Sequence, residues 1–160
     1  MSLEASIDLR IVQYPSRNVA SPSKILQKLI GGGWVLQHNG YIFYLPIGDN
    51  DMFDWTENKM DIVSFMKIVE EKEQGNELIG IRLMWQNTQI GGNFLLRTYE
   101  RMLKTTIYDN LLFSLGADRK MLGFNEAGNI TDVSWYLPNL LPIFNEGDTF
   151  VEHFTYDEHI

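Results

Sequence analysis

The sequence contains no cysteine, no long apolar run and no Lys or Arg after residue 125. Without cysteine there are no disulfides, no thiolate metal ligands and no cysteine nucleophile, a pattern that fits a cytosolic protein. An apolar run of about 18 residues would indicate a membrane span, and none occurs. The N-terminus also lacks a basic stretch followed by an apolar one, so we predict no secretory signal, no membrane partner and a cytoplasmic location.

The negative charge is concentrated in two segments that contain few or no basic residues. Net charge is -8 over 160 residues, with -6 in residues 49–77 and -7 in residues 126–160. Binding to a phosphate backbone needs a basic footprint, so we predict no nucleic-acid partner. An acidic surface instead favours a basic protein partner through electrostatic steering, although high acidity also serves solubility alone.

The chain length suits one domain, 1–160. Alternating apolar residues predict a strand at 6–14, two strands within 77–99 joined by a loop near residues 86–92, and a last strand at 149–157. Phe150, Glu152, Phe154 and Tyr156 share a face of the last strand. Helices are predicted at 21–33, with Ser21 as N-cap, and at 55–76, while 131–144 reads as a short, kinked helix. Residues 100–116 fit either a helix or a strand, and we favour a strand at 110–116.

Asn39-Gly40 predicts a two-residue hairpin turn between the apolar runs of residues 34–48. Such hairpins dominate the middle of the chain. The fold class that follows is α+β: a single domain with a mainly antiparallel sheet and two or three helices packed on it.

The stretch IGDNDMFDWTENKMD, residues 47–61, concentrates five acids around Met52, Phe53 and Trp55. A calcium-binding loop starting at Asp49 would need an oxygen ligand where Phe53 stands and glutamate where Met60 stands, so calcium is disfavoured. Asp54 and Glu57 have the spacing of a helix capping box. If its aromatic side chains are exposed, the stretch has the composition of a protein-binding hot spot with an acidic rim.

The sequence contains no complete motif of a known catalytic site. Ser21–Lys24 matches only one part of the serine–lysine acylase pattern, and Gly31–Gly33 ends a helix instead of opening one. His153 and His159 lie among acids near the C-terminus, but an extended strand would separate them by about 20 Å. We therefore predict no catalytic residue, metal site or cofactor.

The C-terminal stretch TDVSWYLPNLLPIFNEGDTFVEHFTYDE, residues 131–158, resembles the endings of small immunity proteins from bacterial toxin systems. Those endings place a tryptophan-bearing helix before a glycine and a last acidic strand. The resemblance covers about thirty residues and assigns no particular family. It implies a non-catalytic protein that blocks a basic toxin domain by charge and shape complementarity.

The leading hypothesis is thus an immunity protein that neutralises a bacterial toxin through an acidic surface. The candidate partner-binding residues are Asp49, Asp51, Phe53, Asp54, Trp55, Glu57, Glu152, Asp157 and Glu158. One alternative is a small enzyme or ligand-binding domain that uses His153 and nearby carboxylates. Another is a structural or phage-type accessory subunit, and the oligomeric state stays open in each case.

Overall fold

The protein is described by a computed structural model that covers residues 4–122 and 130–159. The described residues form one large sheet and four helices. The strands are β1 (Ala5–Gln13), β2 (Trp34–Val35), β3 (Tyr41–Tyr44), β4 (Thr56–Lys59), β5 (Ile79–Trp85), β6 (Gly91–Leu96), β7 (Leu111–Leu115) and β8 (Thr149–Glu158). The helices are α1 (Pro22–Gly31), α2 (Ile62–Gln74), α3 (Tyr99–Thr105) and α4 (Val133–Phe144).

The strand order is β4-β3-β5-β6-β7-β1-β8, and β2 pairs with β5 beside β3. All strand pairs are antiparallel. The predicted α+β class with a mainly antiparallel sheet is therefore confirmed, although four helices replace the two or three expected. β4 and β8 form the two edges of the sheet.

One face of the sheet carries the main hydrophobic core. Paired residues of antiparallel strands point to the same side, and the row Ile7, Phe113, Phe94 and Ile81 runs across four strands in register. Apolar residues of α1, α2 and α4 are buried on this row. Trp34 lies at its centre, with ring centroids about 5 Å from those of Phe94 and Phe113.

The opposite face has a smaller apolar cluster of Leu45, Leu78 and Leu95, and Trp55 packs against it. Gly80 on β5 makes this possible, because a Cβ there would lie 2.6 Å from the Leu45 side chain and 2.9 Å from that of Trp55. The segment between β3 and β4 can therefore lie close over this face of the sheet.

Local sequence rules identified several elements correctly. Ser21 caps α1, its hydroxyl accepting from the Lys24 N–H at 3.3 Å, and Pro22 opens the helix. Asn39 and Gly40 both have positive φ, as the predicted turn requires. The strand predicted at 110–116 is confirmed as β7.

The start of the long helix was predicted wrongly. Asp54 and Glu57 do not form a capping box, because Glu57 lies in β4 and pairs with Phe43 of β3. The N-cap is Asp61, whose carboxylate accepts from the Ser64 N–H at 2.7 Å. The backbone N–H and C=O groups of residues 56–59 are used in the sheet, so the helix begins six residues later than Thr56.

The predicted hairpin turn is confirmed but short: His38 and Tyr41 form an antiparallel bridge across Asn39-Gly40, while β2 pairs with β5 instead of extending the ladder along β3. One further expectation about pairing was wrong. In β8, a bulge opposite Arg10 and Ile11 breaks the predicted alternation. Val151 therefore shares a face with Phe154, and Glu152 is the extra residue.

Two of the segments that the sequence read as helical or ambiguous are now defined. Residues Tyr99–Thr105 form α3, capped by the Thr98 hydroxyl, which accepts from the Arg101 N–H at 3.3 Å. α4 is a helix with Pro138 and Pro142 inside it, as the predicted kinked segment requires. Within residues 4–122 and 130–159, every helix is too short or too polar to span a bilayer.

Candidate functional site

Asp49 lies inside the acidic segment and holds it together. The residue is 5% exposed. Its carboxylate accepts hydrogen bonds from three consecutive backbone N–H groups, those of Met52, Phe53 and Asp54, at 3.0, 3.1 and 2.7 Å. The structure thus places this candidate partner-binding residue in the interior, where it organises the turn instead of contacting a partner.

A buried lysine from α2 anchors the beginning of the same segment. Lys72 is 1% exposed, and its Nζ donates to three backbone carbonyl oxygens, those of Leu45, Pro46 and Asp49, at 3.0, 2.8 and 3.2 Å. Burial lowers the pKa of Lys72, while the charges of Glu77 and Asp49 act in the opposite direction. The segment is therefore tied to the helix by a desolvated cation.

A third contact joins the segment to α3. Arg101 Nη2 donates to the Asn50 carbonyl oxygen at 2.6 Å, and its Nη1 lies 3.3 Å from Asn50 Oδ1. The same Oδ1 accepts from the Leu78 N–H at 3.2 Å. Residues 45–50 are thus held by α2, α3 and the start of β5 together.

This scaffold presents two apolar side chains to solvent. Met52 is 78% exposed and Phe53 is 48% exposed, and the exposed acids Asp51 and Asp54 flank them. Phe53 has φ +54°, a conformation that is uncommon for a bulky residue and that the hydrogen bonds to Asp49 maintain. We call residues 51–54 the acidic tip. Its composition matches the hot-spot reading of the sequence for Phe53, Asp51 and Asp54.

Trp55 points the other way. Its ring stacks on Phe43 with centroids 5.4 Å apart and an interplanar angle of 11°. It also packs on the Leu45, Leu78 and Leu95 cluster and is half-buried. The sequence left open whether Phe53 and Trp55 face inward or outward, and the structure divides them: Phe53 outward, Trp55 onto the sheet.

Glu57 lies on the edge strand β4, exposed and directly opposite Phe43. It borders a cleft of about 340 Å³ on the face of the sheet opposite the main core. Tyr41, Phe43 and Met84 supply apolar walls of that cleft. Glu57 therefore belongs to a concave surface adjoining the acidic tip.

The three C-terminal acids differ in their surroundings. Glu152, at the β-bulge, pairs with Arg10 Nε at 3.0 Å, and Asp157 is exposed. Glu158 accepts from the Thr131 N–H at 3.0 Å and from the Tyr156 hydroxyl. Burial opposes the ionisation of Glu158, but these hydrogen bonds outweigh it and its pKa is lowered. Glu158 thus acts within the fold.

Burial, together with the hydrogen bond to Glu158, raises the pKa of Tyr156 to about 12. Its hydroxyl therefore remains a donor to Glu158 at neutral pH. The pair ties the end of β8 to Thr131.

The acidic segments 49–57 and 152–158 do not merge into one surface. β4, which carries Glu57, and β8, which carries the C-terminal acids, are the opposite edges of the sheet. Six strand spacings of about 4.8 Å separate them by roughly 29 Å along the sheet. A partner can therefore cover the acidic tip without contacting β8.

His153 has the carboxylate neighbour that an enzyme site would need. Its Nδ1 lies 3.1 Å from Asp109 Oδ1, and it borders a shallow concavity with Arg10, Tyr108 and Glu152. Its side chain is 58% exposed, against 15% for Asp109. The contact holds the imidazole through Nδ1, and Nε2 is the other ring nitrogen of this largely exposed side chain.

Two other charged groups lie close to this pair. Burial raises the pKa of Asp8, with Asp109 and Asp157 adding to the effect and Arg97 opposing it. Burial likewise lowers the pKa of Arg97, with Asp8 acting against it. The cluster is a network of partly desolvated charges on the face of the sheet opposite the main core.

Exposed apolar residues on and after α3 escaped the sequence reasoning. Leu103, Ile107 and Tyr108 are all exposed, and only Met102 of that helix is buried. The available signal was Thr98 as a cap with Glu100 in the first turn. Arg101 links this helix to Asn50, the residue just before the acidic tip.

Comparison with known proteins adds no family: no protein-family model, curated protein or solved structure matches the chain. Among the described residues, no group of three or more His, Asp or Glu side chains is placed to hold a metal ion.

Proposed function

We propose that this protein is a non-catalytic binding protein, an immunity protein that neutralises a bacterial toxin by covering a basic surface. The observation that carries the proposal is the acidic tip: Met52 and Phe53 exposed between Asp51 and Asp54 on a rigidly held turn. Large exposed apolar side chains surrounded by charge are typical of interaction sites.

Preorganisation supports the same proposal. The carboxylate of Asp49 and the ammonium of Lys72 together make six hydrogen bonds to the backbone of residues 45–54. A turn that is already ordered loses little conformational entropy on binding, so more of the contact energy is retained as affinity. The acids Asp51 and Asp54 supply attraction to a basic partner and a faster association rate.

We assign the proposed surface to the exposed residues of the acidic segment. Asp51, Met52, Phe53, Asp54 and Glu57 belong to it. Asp49, Trp55 and Glu158 support the fold. Glu152 and Asp157 lie on the far edge strand.

The test uses the product of the large reading frame next to this gene, expressed with and without the protein in a growth-arrest assay. Wild type should restore growth, and the double variant Met52→Ala/Phe53→Ala should fail to do so at equal abundance. Val63→Ala, which trims another exposed apolar residue on α2, is the control and should protect normally. A neighbouring product without toxicity, or full protection by the double variant, would contradict the proposal.

A second candidate function rests on the His153–Asp109 contact at 3.1 Å. With Nδ1 bound to Asp109, Nε2 could accept a proton from a substrate or water, as a general base does. This candidate predicts turnover of p-nitrophenyl esters or phosphates that is lost in His153→Gln. Absence of turnover, or equal turnover in the variant, removes it.

A further inference from the structure

The cleft beside Glu57 has features that the proposed function does not use. It lies between β2, β3, β4 and β5 on the face of the sheet opposite the main core. Its volume of about 340 Å³ suits a small ligand or one large side chain. Val35 and Tyr41 are apolar walls that are themselves exposed to solvent. Gln37, His38 and Gln89 complete a polar rim.

The charge balance of the cleft favours a cation. Arg82 also borders it, but its charge is offset by Asp118, which pairs with Nη2 from outside the cleft. Its Nη1 has no hydrogen-bond partner among the described residues and is buried away from solvent, so it does not face a ligand in the cleft. Within the described part of the chain, no Lys, Arg or His nitrogen lies within 4.0 Å of the Glu57 carboxylate. Lys59 is two residues further along β4 and does not line the cleft. One unpaired negative charge therefore remains at the rim.

The aromatic walls favour a flat cation. Phe43 borders the cleft, whereas Trp55, which stacks on Phe43, does not. The Phe43 ring thus stands between Trp55 and the cleft and leaves its other side for a ligand. A guanidinium group binds aromatic faces and carboxylates together, which a compact ammonium group does less well.

We propose that this cleft receives an arginine side chain of the basic partner, stacked on Phe43 and Tyr41 and paired with Glu57. The identity of the partner rests on the proposed function, but the chemistry of the cleft can be examined on this protein alone. The acidic tip and the cleft are linked through the Trp55–Phe43 stack, so one partner segment can reach both.

The probes are three capped tripeptides, acetyl-Gly-Xaa-Gly-amide with Arg, Lys or Glu in the centre. Binding is followed by two-dimensional 1H–15N NMR, with the Trp55 indole and the amides of residues 41–44 and 56–59 as reporters. The arginine peptide should give saturable shifts at these positions. The lysine peptide should bind several-fold more weakly, and the glutamate peptide should cause no shift.

Matched variants test the role of charge. Glu57→Gln should weaken arginine binding roughly fivefold, the scale of one exposed ion pair. Glu70→Gln makes the same change at an exposed position on α2 and should leave binding unchanged. Lys59→Gln removes the competing cation on β4 and should strengthen binding.

Four results would overturn the inference: no binding of the arginine peptide, equal binding of the arginine and lysine peptides, unchanged arginine binding in Glu57→Gln, or preferential binding of the glutamate peptide. The last would assign the cleft to an acidic group recognised by Arg82. If the Met52→Ala/Phe53→Ala variant loses toxin neutralisation but the arginine peptide does not bind, only the cleft inference is wrong. If the arginine peptide binds but the neighbouring gene product is not toxic, the cleft inference holds and the proposed function is wrong.

Discussion

Replacing Lys72 with methionine tests how the acidic tip is held. The substitution keeps the length and the apolar stem of the side chain but removes the ammonium group. The carbonyl oxygens of Leu45 and Asp49 then lose the donor that Lys72 supplies, while that of Pro46 keeps its hydrogen bond from the Asp49 N–H at 3.1 Å. The oxygens of Leu45 and Asp49 are bonded in buried surroundings, where water does not readily replace the lysine.

The magnitude follows from those two buried acceptors. A buried acceptor left without a partner costs about 1–3 kcal/mol, so the gross loss is about 2–6 kcal/mol. The variant no longer desolvates a cation, and this relief offsets part of the loss. We expect the free energy of unfolding to fall by about 2–3 kcal/mol. With a urea m-value of about 2 kcal/mol/M, the midpoint should fall by about 1–1.5 M.

The assays are urea unfolding followed by tryptophan fluorescence and amide hydrogen exchange of residues 45–55. The amides of Met52, Phe53 and Asp54 should lose protection, because Asp49 is no longer held in position. Lys67→Met, at an exposed position on the same helix, is the control and should change stability by less than about 0.5 kcal/mol. Wild-type stability and wild-type amide protection in Lys72→Met would refute the reasoning.

Three further outcomes are expected. Asn110→Ala should destabilise the fold by about 2–4 kcal/mol in urea unfolding, since this fully buried amide bonds both the N–H and C=O of Ile11 at 2.8 Å. Gly80→Ala should cost about 1–3 kcal/mol by overpacking and shift the Trp55 indole resonance, with an unshifted resonance contradicting the packing described above. The hydrogen bonds that Asp61 accepts at the α2 N-terminus lower its pKa below 3.8, so its stabilisation is complete above that pH and lost as the pH falls through the lowered pKa. Acid unfolding of Asp61→Asn, followed by circular dichroism, should lack this contribution.

Local chemistry was enough to predict several elements. Ser21 and Pro22 define the start of α1 through a side-chain cap and a fixed φ, both properties of neighbouring residues. Asn39 and Gly40 tolerate positive φ, so these two residues were enough to predict the turn. The alternation in residues 79–96 likewise predicted β5 and β6.

Predictions failed where a distant partner decided the outcome. Asp54 and Glu57 have the spacing of a capping box, but residues 56–59 form backbone hydrogen bonds with β3 instead. β2 likewise pairs with β5 instead of with β3, its neighbour in sequence. In β8, one extra residue at the bulge changed which side chains share a face. Each choice depends on strands far away along the chain.

The candidate site shows the same division. Composition alone identified residues 47–61 as acidic and aromatic, and the absence of basic residues after position 125 pointed to a basic partner. The carboxylates of Asp49 and Asp51 look alike in sequence. Only the fold turns one inward to bind three N–H groups and leaves the other in solvent.

The sequence by itself determined the class of fold, the charge and the location of the acidic segment, because these depend on composition and short-range periodicity. The tertiary structure decided which of its residues are presented. A lysine 23 residues beyond Asp49 and an arginine 51 residues beyond Asn50 anchor the segment. Contacts at such separations exist only once the sheet and helices have assembled, so no local pattern reveals that Phe53 faces outward while Trp55 lies against Phe43.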